Sequence, residues 1–314
     1  MANRAKVGKE VDRISSLPDE LLFHIISFLP LKQAVCTSIL STRWRKIYAS
    51  MSNLNFDDCF KWRKSDGYGF MNFVDRVLLY HTGGVDKFRI KYGGFVDSYR
   101  VDGWIQYALL KNVRELDLYI DCHKFKVLSA GVSTCKTLVA LRLHSLAAAT
   151  NLFKGISNVI ALRISGIFTA VFLPGSIAIP ELPKLTYLNL DGYFSGGWER
   201  LLPHLLSCFP CLGNLVFTVN LQHSRNVSKD LLLSKRFPSC LCSQLKTLEI
   251  LSFQGRKNEM QMVEFFLKNA EVLENFSVQI IARKRQNLAE WRSNITDKLL
   301  NLPKASKNCK VLVV

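Results

Sequence analysis

No uninterrupted apolar run approaches the roughly 18 residues that mark a membrane-spanning helix, so none is expected in this 314-residue chain. The N-terminal stretch Met1–Asp12 is polar and mixed in charge. It lacks the apolar centre of a secretion signal and is expected to be a disordered tail. A Gly-Lys-Ser/Thr phosphate loop is missing, and Gly83-Gly84, Gly93-Gly94 and Gly196-Gly197 stand as isolated turn glycines rather than nucleotide cradles. His24, His81, His123, His144, His204 and His223 share no spacing that would build a metal site or a triad. Carboxylates are few, 25 against 42 Lys and Arg, and scattered. These absences leave no residue set that names an enzyme, a metal or a cofactor, and none of the three is expected.

The nine cysteines are an odd number in a long chain, which suits reduced thiols in the cytoplasm or nucleus. Cys208-x-x-Cys211 and Cys240-x-Cys242 have spacings that structural zinc can use. Both pairs lie in Leu- and Pro-rich sequence, however, where a buried thiol simply fills space, and no thioredoxin-like context surrounds the Cys-x-x-Cys. The formal charge is +17. Its denser groups, Lys61-Arg63-Lys64, Arg283-Lys284-Arg285 and Lys304-Lys307-Lys310, are not interleaved with aromatics for base stacking. A solvated basic surface that steers acidic partners therefore fits better than a nucleic-acid groove.

What is present begins with Leu17–Trp44. Ser16-Leu17-Pro18-Asp19 reads as a helix start, with Ser16 as acceptor for a free N–H, Pro18 where no N–H is needed, and Asp19 and Glu20 against the positive helix end. Leu21, Leu22, Ile25, Ile26, Phe28 and Leu29 follow at helical spacing until Pro30. Lys32–Leu40 forms a second segment, and a third starts near Ser41 or Thr42 with Trp44, Ile47 and Tyr48. The apolar positions cover more than half of the first helix. A unit of roughly 40 residues cannot bury all of that internally, so the surplus implies a partner or a neighbouring domain.

The second signal is a repeat. Apolar residues recur in a six-residue pattern at Val85-Phe88-Ile90, Val113-Leu116-Leu118, Leu138-Leu141-Leu143, Val159-Leu162-Ile164, Leu185-Leu188-Leu190, Leu212-Leu215-Phe217, Leu245-Leu248-Ile250 and Leu273-Phe276-Val278. The middle residues are 28, 25, 21, 26, 27, 33 and 28 apart, close to the roughly 20–29 residue period of leucine-rich repeats. The last apolar-x-apolar pair places alternate side chains on one face of a short strand. Helical periodicity lies between the strands, at Trp104-Tyr107-Ala108, Leu201–Leu206 and Val263–Leu267. Pro174, Pro180 and Pro183 mark an extended approach to a strand at Thr186–Leu190. The pattern predicts an α/β chain in which a curved solenoid carries a parallel sheet on its concave face, with helices and loops outside. A doubly wound α/β domain also alternates strand and helix, but it would not need eight copies of one hexad.

The run Leu17-Pro18-Asp19-Glu20-Leu21-Leu22, Ile25-Ile26-Ser27-Phe28-Leu29-Pro30, Ala34-Val35, Thr37-Ser38 and Leu40-Ser41-Thr42-Arg43-Trp44-Arg45 resembles an F-box. It is most similar to that of plant F-box proteins with leucine-rich repeats, with Ile47-Tyr48 where Leu-Trp is common. Gln244–Ile250, Asn258-Glu259-Met260, Val263–Ala270, Val272-Leu273-Glu274 and Leu302–Val311 resemble the FBD segment that ends many of those proteins, with Lys304 in place of the usual Arg.

The resemblance implies a three-helix F-box over 13–55 after the tail 1–12, a connecting helical segment over 56–84, and repeats over 85–236. The last repeats and an FBD-like cap then occupy 237–314. The segment Gln286–Leu300 is expected as a helix covering the open end, and Lys310–Val314 as a last strand. The resemblance further implies a substrate-recognition subunit of an SCF-type ubiquitin ligase. Leu17, Pro18, Leu21, Ile25, Val35 and Trp44 would meet the Skp adaptor, and through it a cullin scaffold. Leu22, Ile26 and Phe28 would hold the helices together. Strand geometry offers Arg114, Glu115, Asp117, Arg142, Arg163, Asn189, Lys246 and Glu249 for an unnamed target protein. A non-ubiquitin F-box scaffold and a basic nucleic-acid-binding repeat protein are the alternatives; no membrane partner is expected.

Overall fold

The computed structural model describes residues 12–57, 67–94, 96–120, 135–144, 157–167, 181–195, 198–218, 221–222, 238–281 and 288–314. The tail before Asp12, the basic groups at 61–64 and 283–285, Gly196-Gly197, Pro174, Pro180, His123 and His223 lie outside the described residues.

The N-terminal unit consists of helices α1 (Asp19–Ser27), α2 (Leu31–Cys36) and α3 (Thr42–Ala49), with a 3-10 turn at Thr37–Ile39 before α3. Pro18 and Pro30 occupy the N-cap positions of α1 and α2, where a fixed φ and a missing N–H cost nothing. Ser16 does not cap α1: its hydroxyl donates to the Arg13 carbonyl at 2.7 Å. Ser41 does cap α3, its Oγ accepting from the Trp44 N–H at 3.4 Å. Arg43 then ties α3 back to the entry of α1, donating to Asp19 Oδ1 and to the carbonyls of Ser15 and Leu17. Leu22, Ile26, Ala34, Trp44 and Ile47 form a small core of their own.

The remaining chain builds one parallel sheet. Its strands are β1 (Asn53–Asp57), β2 (Lys87–Tyr92), β3 (Glu115–Ile120), β4 (Ala140–His144), β5 (Ala161–Ile167), β6 (Tyr187–Ser195), β7 (Asn214–Thr218), β8 (Leu221–Gln222), β9 (Thr247–Phe253), β10 (Asn275–Ile280) and β11 (Lys310–Val313). Helices α4 (Gly67–Tyr80) and α5 (Ser98–Leu110) follow β1 and β2, and helices Trp198–Ser207, Ser239–Ser243, Lys257–Asn269 and Leu288–Leu300 occur later. Each strand pairs with the next in sequence, except that short β8 pairs β6 and leaves β7 beside β9. The order never reverses. A doubly wound sheet would have a switch point, so the curved parallel sheet is that of a leucine-rich-repeat-like solenoid.

Register explains the hexads. Phe88, Leu116, Leu141, Leu162, Leu188, Leu215, Leu248 and Phe276 stand side by side across β2 to β10. Ile90, Leu118, Leu143, Ile164, Leu190, Phe217, Ile250 and Val278 form the next row. Every hexad residue is 5 % exposed or less. The rows run one strand further at each end. Leu54 and Phe56 of β1 pair Phe88 and Ile90, and Val311 and Val313 of β11 pair Phe276 and Val278.

The boundary expected at 55/56 thus falls inside β1, and the sheet starts before the expected 85 because Met51-Leu54-Phe56 forms a hexad too. Helix Leu288–Leu300, between β10 and β11 in sequence, contributes Ile295 and Leu299 to the main core. The open edge is β11, where Leu312 is 61 % exposed. Gly255 receives this helix. Its φ of +68° is a glycine conformation, and a Cβ there would stand 2.2 Å from Ile295 Cδ1.

The joint between the N-terminal unit and the sheet is packed. Leu31 of α2 belongs to the main core, with Val35 and Met51 against it. His81 is 5 % exposed. Its Nε2 donates to the Met51 carbonyl at 2.8 Å, and its Nδ1 faces the Tyr107 hydroxyl at 2.8 Å. The carbonyl fixes the proton on Nε2, which makes Nδ1 an acceptor. Burial pushes this imidazole's pKa down, against a smaller raising effect of the Met51 bond.

Two outcomes follow from this packing. Leu162→Ala, at the centre of the sheet, costs about 2–5 kcal/mol in denaturant melts, whereas Leu312→Ala at the open edge stays within about 0.5 kcal/mol. The depressed His81 pKa means that the unfolded chain binds the proton more readily. Its contribution is complete above the ordinary imidazole value near 6.5 and is lost as pH falls through the lower folded value. The drop in melting temperature from pH 7 to pH 5 is therefore smaller in His81→Gln than in the wild type; an unchanged drop contradicts this role.

Candidate functional site

Two surfaces stand apart from the core, and the first belongs to the N-terminal helices. Helix α1 buries Leu22 and Ile26 on one side and leaves Leu21 49 %, Ile25 41 % and, just past its end, Phe28 73 % exposed. Ile39 and Leu40, before α3, are 84 % and 67 % exposed. Large apolar side chains bared this far over one small unit make it a candidate interaction surface. Of the residues expected here, Leu21, Ile25 and Pro18 are exposed, and Leu17 is half-buried against the small core. Val35 is half-buried against the main core. Trp44 is a correction: it is buried within the three helices, and its Nε1 donates to Ser15 Oγ at 3.2 Å. Phe28 is the reverse correction, expected inside and found outside. Ile39 and Leu40 were not foreseen, although the apolar excess of α1 pointed to a surface of this kind.

The second surface is the open face of the sheet, formed by the residues that alternate with the buried rows. One row reads Asn55, Arg89, Asp117, Arg142, Arg163, Asn189, Val216, Glu249, Ser277 and Leu312 across β1 to β11. Of the expected target-facing residues, Asp117, Arg142, Arg163, Asn189 and Glu249 share this row, and Glu115 stands one row away beside Lys87 and Ala140. Arg114 and Lys246 are not on strands. Both are exposed in the turns before β3 and β9, with Lys246 paired to Glu274 at 3.0 Å.

Register places opposite charges next to one another. Lys87 meets Glu115 at 2.9 Å and Arg142 meets the other Glu115 oxygen at 3.6 Å. Arg89 meets Asp117 at 3.4 Å and Lys91 meets Asp57 at 3.9 Å. The Lys87 ammonium bonded to Glu115 holds that carboxyl below the usual carboxylate range, with Arg142 acting the same way. His144 Nε2 lies 3.6 Å from Asp117 Oδ1 and its ring against Tyr119. Burial nonetheless pushes the His144 pKa down, outweighing the raising effect of Asp117, so the imidazole is neutral near pH 7.

Between α1, the turn into α2 and β1–β4 the face deepens into a cleft of about 760 Å³. Phe23, Leu29 and Pro30 form one wall, and Lys87, Arg89, Glu115, Asp117 and Arg142 the floor. Asn55, Lys87, Arg89, Lys91 and His144 were missed from sequence, although the hexad alternation applied to β2 and β4 would have found the last four.

The cysteine pairs do not converge. Cys208 and Cys240 are buried, each donating to a main-chain carbonyl, while Cys211 is exposed. Burial pushes the Cys240 thiol up to about 11, so it is no nucleophile at neutral pH. Among the described residues no group of three His, Cys, Asp or Glu side chains is arranged to hold a metal, and no helix is long and apolar enough to cross a membrane.

Comparison with known proteins matches residues 14–54 to the F-box domain and residues 235–278 to the FBD family. Similar proteins include two F-box/LRR-repeat proteins of Arabidopsis thaliana. One is 44% identical over 144 residues, covering 43% of this chain and 44% of that protein. The other is 42% identical over 138 residues, covering 42% and 36%. An F-box protein of the same plant is 49% identical over 119 residues, covering 35% and 24%. The chain spans less than half the length of the curated relatives it matches. It carries an F-box and an FBD segment, and its homologues are plant F-box/LRR-repeat proteins.

The exposure pattern separates the surface of the F-box from its core. Phe28→Ala leaves stability within about 0.5 kcal/mol, whereas Leu22→Ala costs about 2–5 kcal/mol; chemical denaturation of the two variants side by side checks the assignment.

Proposed function

We propose that this F-box- and FBD-bearing chain is the non-enzymatic substrate-recognition subunit of an SCF-type ubiquitin ligase. Its F-box takes a Skp adaptor, and its solenoid takes a target protein. The observation that carries this reading is the bared apolar surface of Leu21, Ile25 and Phe28 on a helix whose other side is already packed. A surface of this kind is covered in a working assembly. The F-box match supplies the adaptor as the partner that covers it. Pro18 and half-buried Leu17 border the same surface, while Val35 contributes by holding α2 against the sheet.

The open face supports a protein target. Its charges are of mixed sign and largely paired, which suits the polar, mixed surface of a folded or extended polypeptide. A nucleic-acid groove would instead need cations free for phosphates, so the basic composition acts through steering. The mechanism is proximity. A target held on the open face, with the F-box fixed to the adaptor and a cullin scaffold, gains effective concentration near the ubiquitin-loaded enzyme. No residue of this chain needs to touch the reacting atoms. The machinery it would join places it in the cytoplasm or nucleus, where free thiols such as exposed Cys36 and Cys211 persist.

Co-purification tests the adaptor contact. The double variant Leu21→Asp, Ile25→Asp folds with the wild-type circular dichroism spectrum and loses at least about a hundredfold in adaptor affinity, as expected for central apolar contacts worth about 2.8 kcal/mol or more in total. Wild-type adaptor binding by that variant, or no adaptor binding by the intact chain, contradicts the proposal.

A further inference from the structure

We infer that the open face over β4–β6 docks an acidic residue of the bound target, whose side-chain carboxylate is held by Arg163 with Ser165 and whose main-chain N–H is held by Asn189. The inference deepens the proposed function and rests on its reading of this face as the target surface.

Charge along the face shows the opening. Over β1–β6 the described cations are Lys87, Arg89, Lys91, Arg142 and Arg163, and the acids are Asp57, Glu115, Asp117 and Asp191. Glu115 serves Lys87 and Arg142, Asp117 serves Arg89, and Asp57 serves Lys91. Among the described residues Arg163 has no acid within 4.0 Å. It also stands in direct register with Arg142, and like charges opposed on neighbouring strands destabilise a sheet. An anion seated at Arg163 relieves both conditions.

The second observation is independent of charge. Arg163 Nε, Ser165 Oγ and Asn189 Oδ1 are buried side-chain atoms with no hydrogen-bond partner. Asn189 as a whole is only 6 % exposed. Buried polar atoms are nearly always satisfied, and three orphans on paired strands, with Arg163 beside Asn189 in register, describe a ligand's complement. Arg163 Nε and the Ser165 hydroxyl donate, as one carboxylate requires. Asn189 Oδ1 accepts, so the ligand brings a donor as well. An acidic residue within a polypeptide has both groups a few ångströms apart.

Charge count favours a carboxylate over a phosphate monoester. One guanidinium lacks an ion pair, while an acid, Asp191, already stands in register with Ser165 beside it. A phosphate would bring nearly two charges, with Asp117 and Asp191 close enough to act on His144 in the same cluster.

The test is selection of random linear peptides by display on the intact chain bound to its adaptor. The expected result is a family of binders sharing one fixed Asp or Glu. Changing that residue to its amide, or Arg163→Gln in the protein, weakens binding at least about tenfold, and the two changes together cost little more than either alone. Arg163→Lys, which keeps charge but not the fork, loses part of the affinity and, with Ser165→Ala, serves if the Gln variant does not fold. Binders without a fixed acidic position, binders that require phosphorylation, no binders at all, or affinity within twofold in Arg163→Gln each overturn the inference. Adaptor pull-down from the same preparation reports separately. Retained adaptor binding with no acidic preference removes this site alone, whereas lost adaptor binding removes the proposed function itself.

Discussion

Register between parallel strands is the constraint on which the rest of this molecule depends. Each hexad offers two apolar side chains to a core that its own unit is too small to close. Only when Leu141 lies beside Leu116 and Leu162 does that surface become continuous and dry. A slip of one residue would turn every buried leucine to solvent and every open-face charge into the core, so the hydrophobic rows fix the pairing with little tolerance. The helices on the other side then follow, because their apolar faces have one continuous surface to cover, as in the Phe217–Phe266 and Trp198–Phe265 ring contacts.

The same register writes the open face. Once Leu116 and Leu118 face inward, Glu115, Asp117 and Tyr119 must face out, and their neighbours are decided by the strands either side. Lys87 and Arg89 come to lie against two acids, and Arg142 and Arg163 come to lie against one another. The electrostatic pattern of the open face is thus a by-product of core packing in its positions, while its residue types remain free to vary. A solenoid can therefore keep one fold while changing what it recognises.

This division also decides what was legible in the sequence. The eight hexads were readable because apolar spacing is local and their burial is complete. The ninth, Met51-Leu54-Phe56, was hidden because it follows α3 directly and its first position is only partly buried. The last, ending in Val311 and Val313, has Asn308 where an apolar residue would announce it. In the F-box the helices were readable, but the sides were not. Trp44 and Phe28 are both large and apolar, and which is inside depends on how α3 crosses α1. That crossing is held by the Arg43 bonds to Asp19 and to the carbonyls of Ser15 and Leu17, more than 20 residues away in sequence. Among open-face residues, alternation within a strand could nominate Asp117, Arg142 and Arg163. Which of them lacks a partner emerges only from pairing between strands.

A recruiter that works by proximity needs more than two surfaces; it needs them at a fixed relative position. In this chain no separate linker joins the F-box to the sheet. Leu31 of α2 is counted in the same core as Leu54 and Phe56 of β1, and His81 bridges the Met51 carbonyl to Tyr107 on α5. The β1 strand begins four residues after α3 ends, too short a connection for free rotation of a unit that also shares packing. The cleft beside Phe23 and Leu29 is the geometric consequence: a wall from the F-box stands against a floor from the repeats. In the proposed recruiter, rigid coupling of this kind would make the reach of a bound target a property of the fold rather than of a flexible tether. It would also tie recognition to the register that builds the sheet, since moving the β1–β4 floor would move the F-box wall with it.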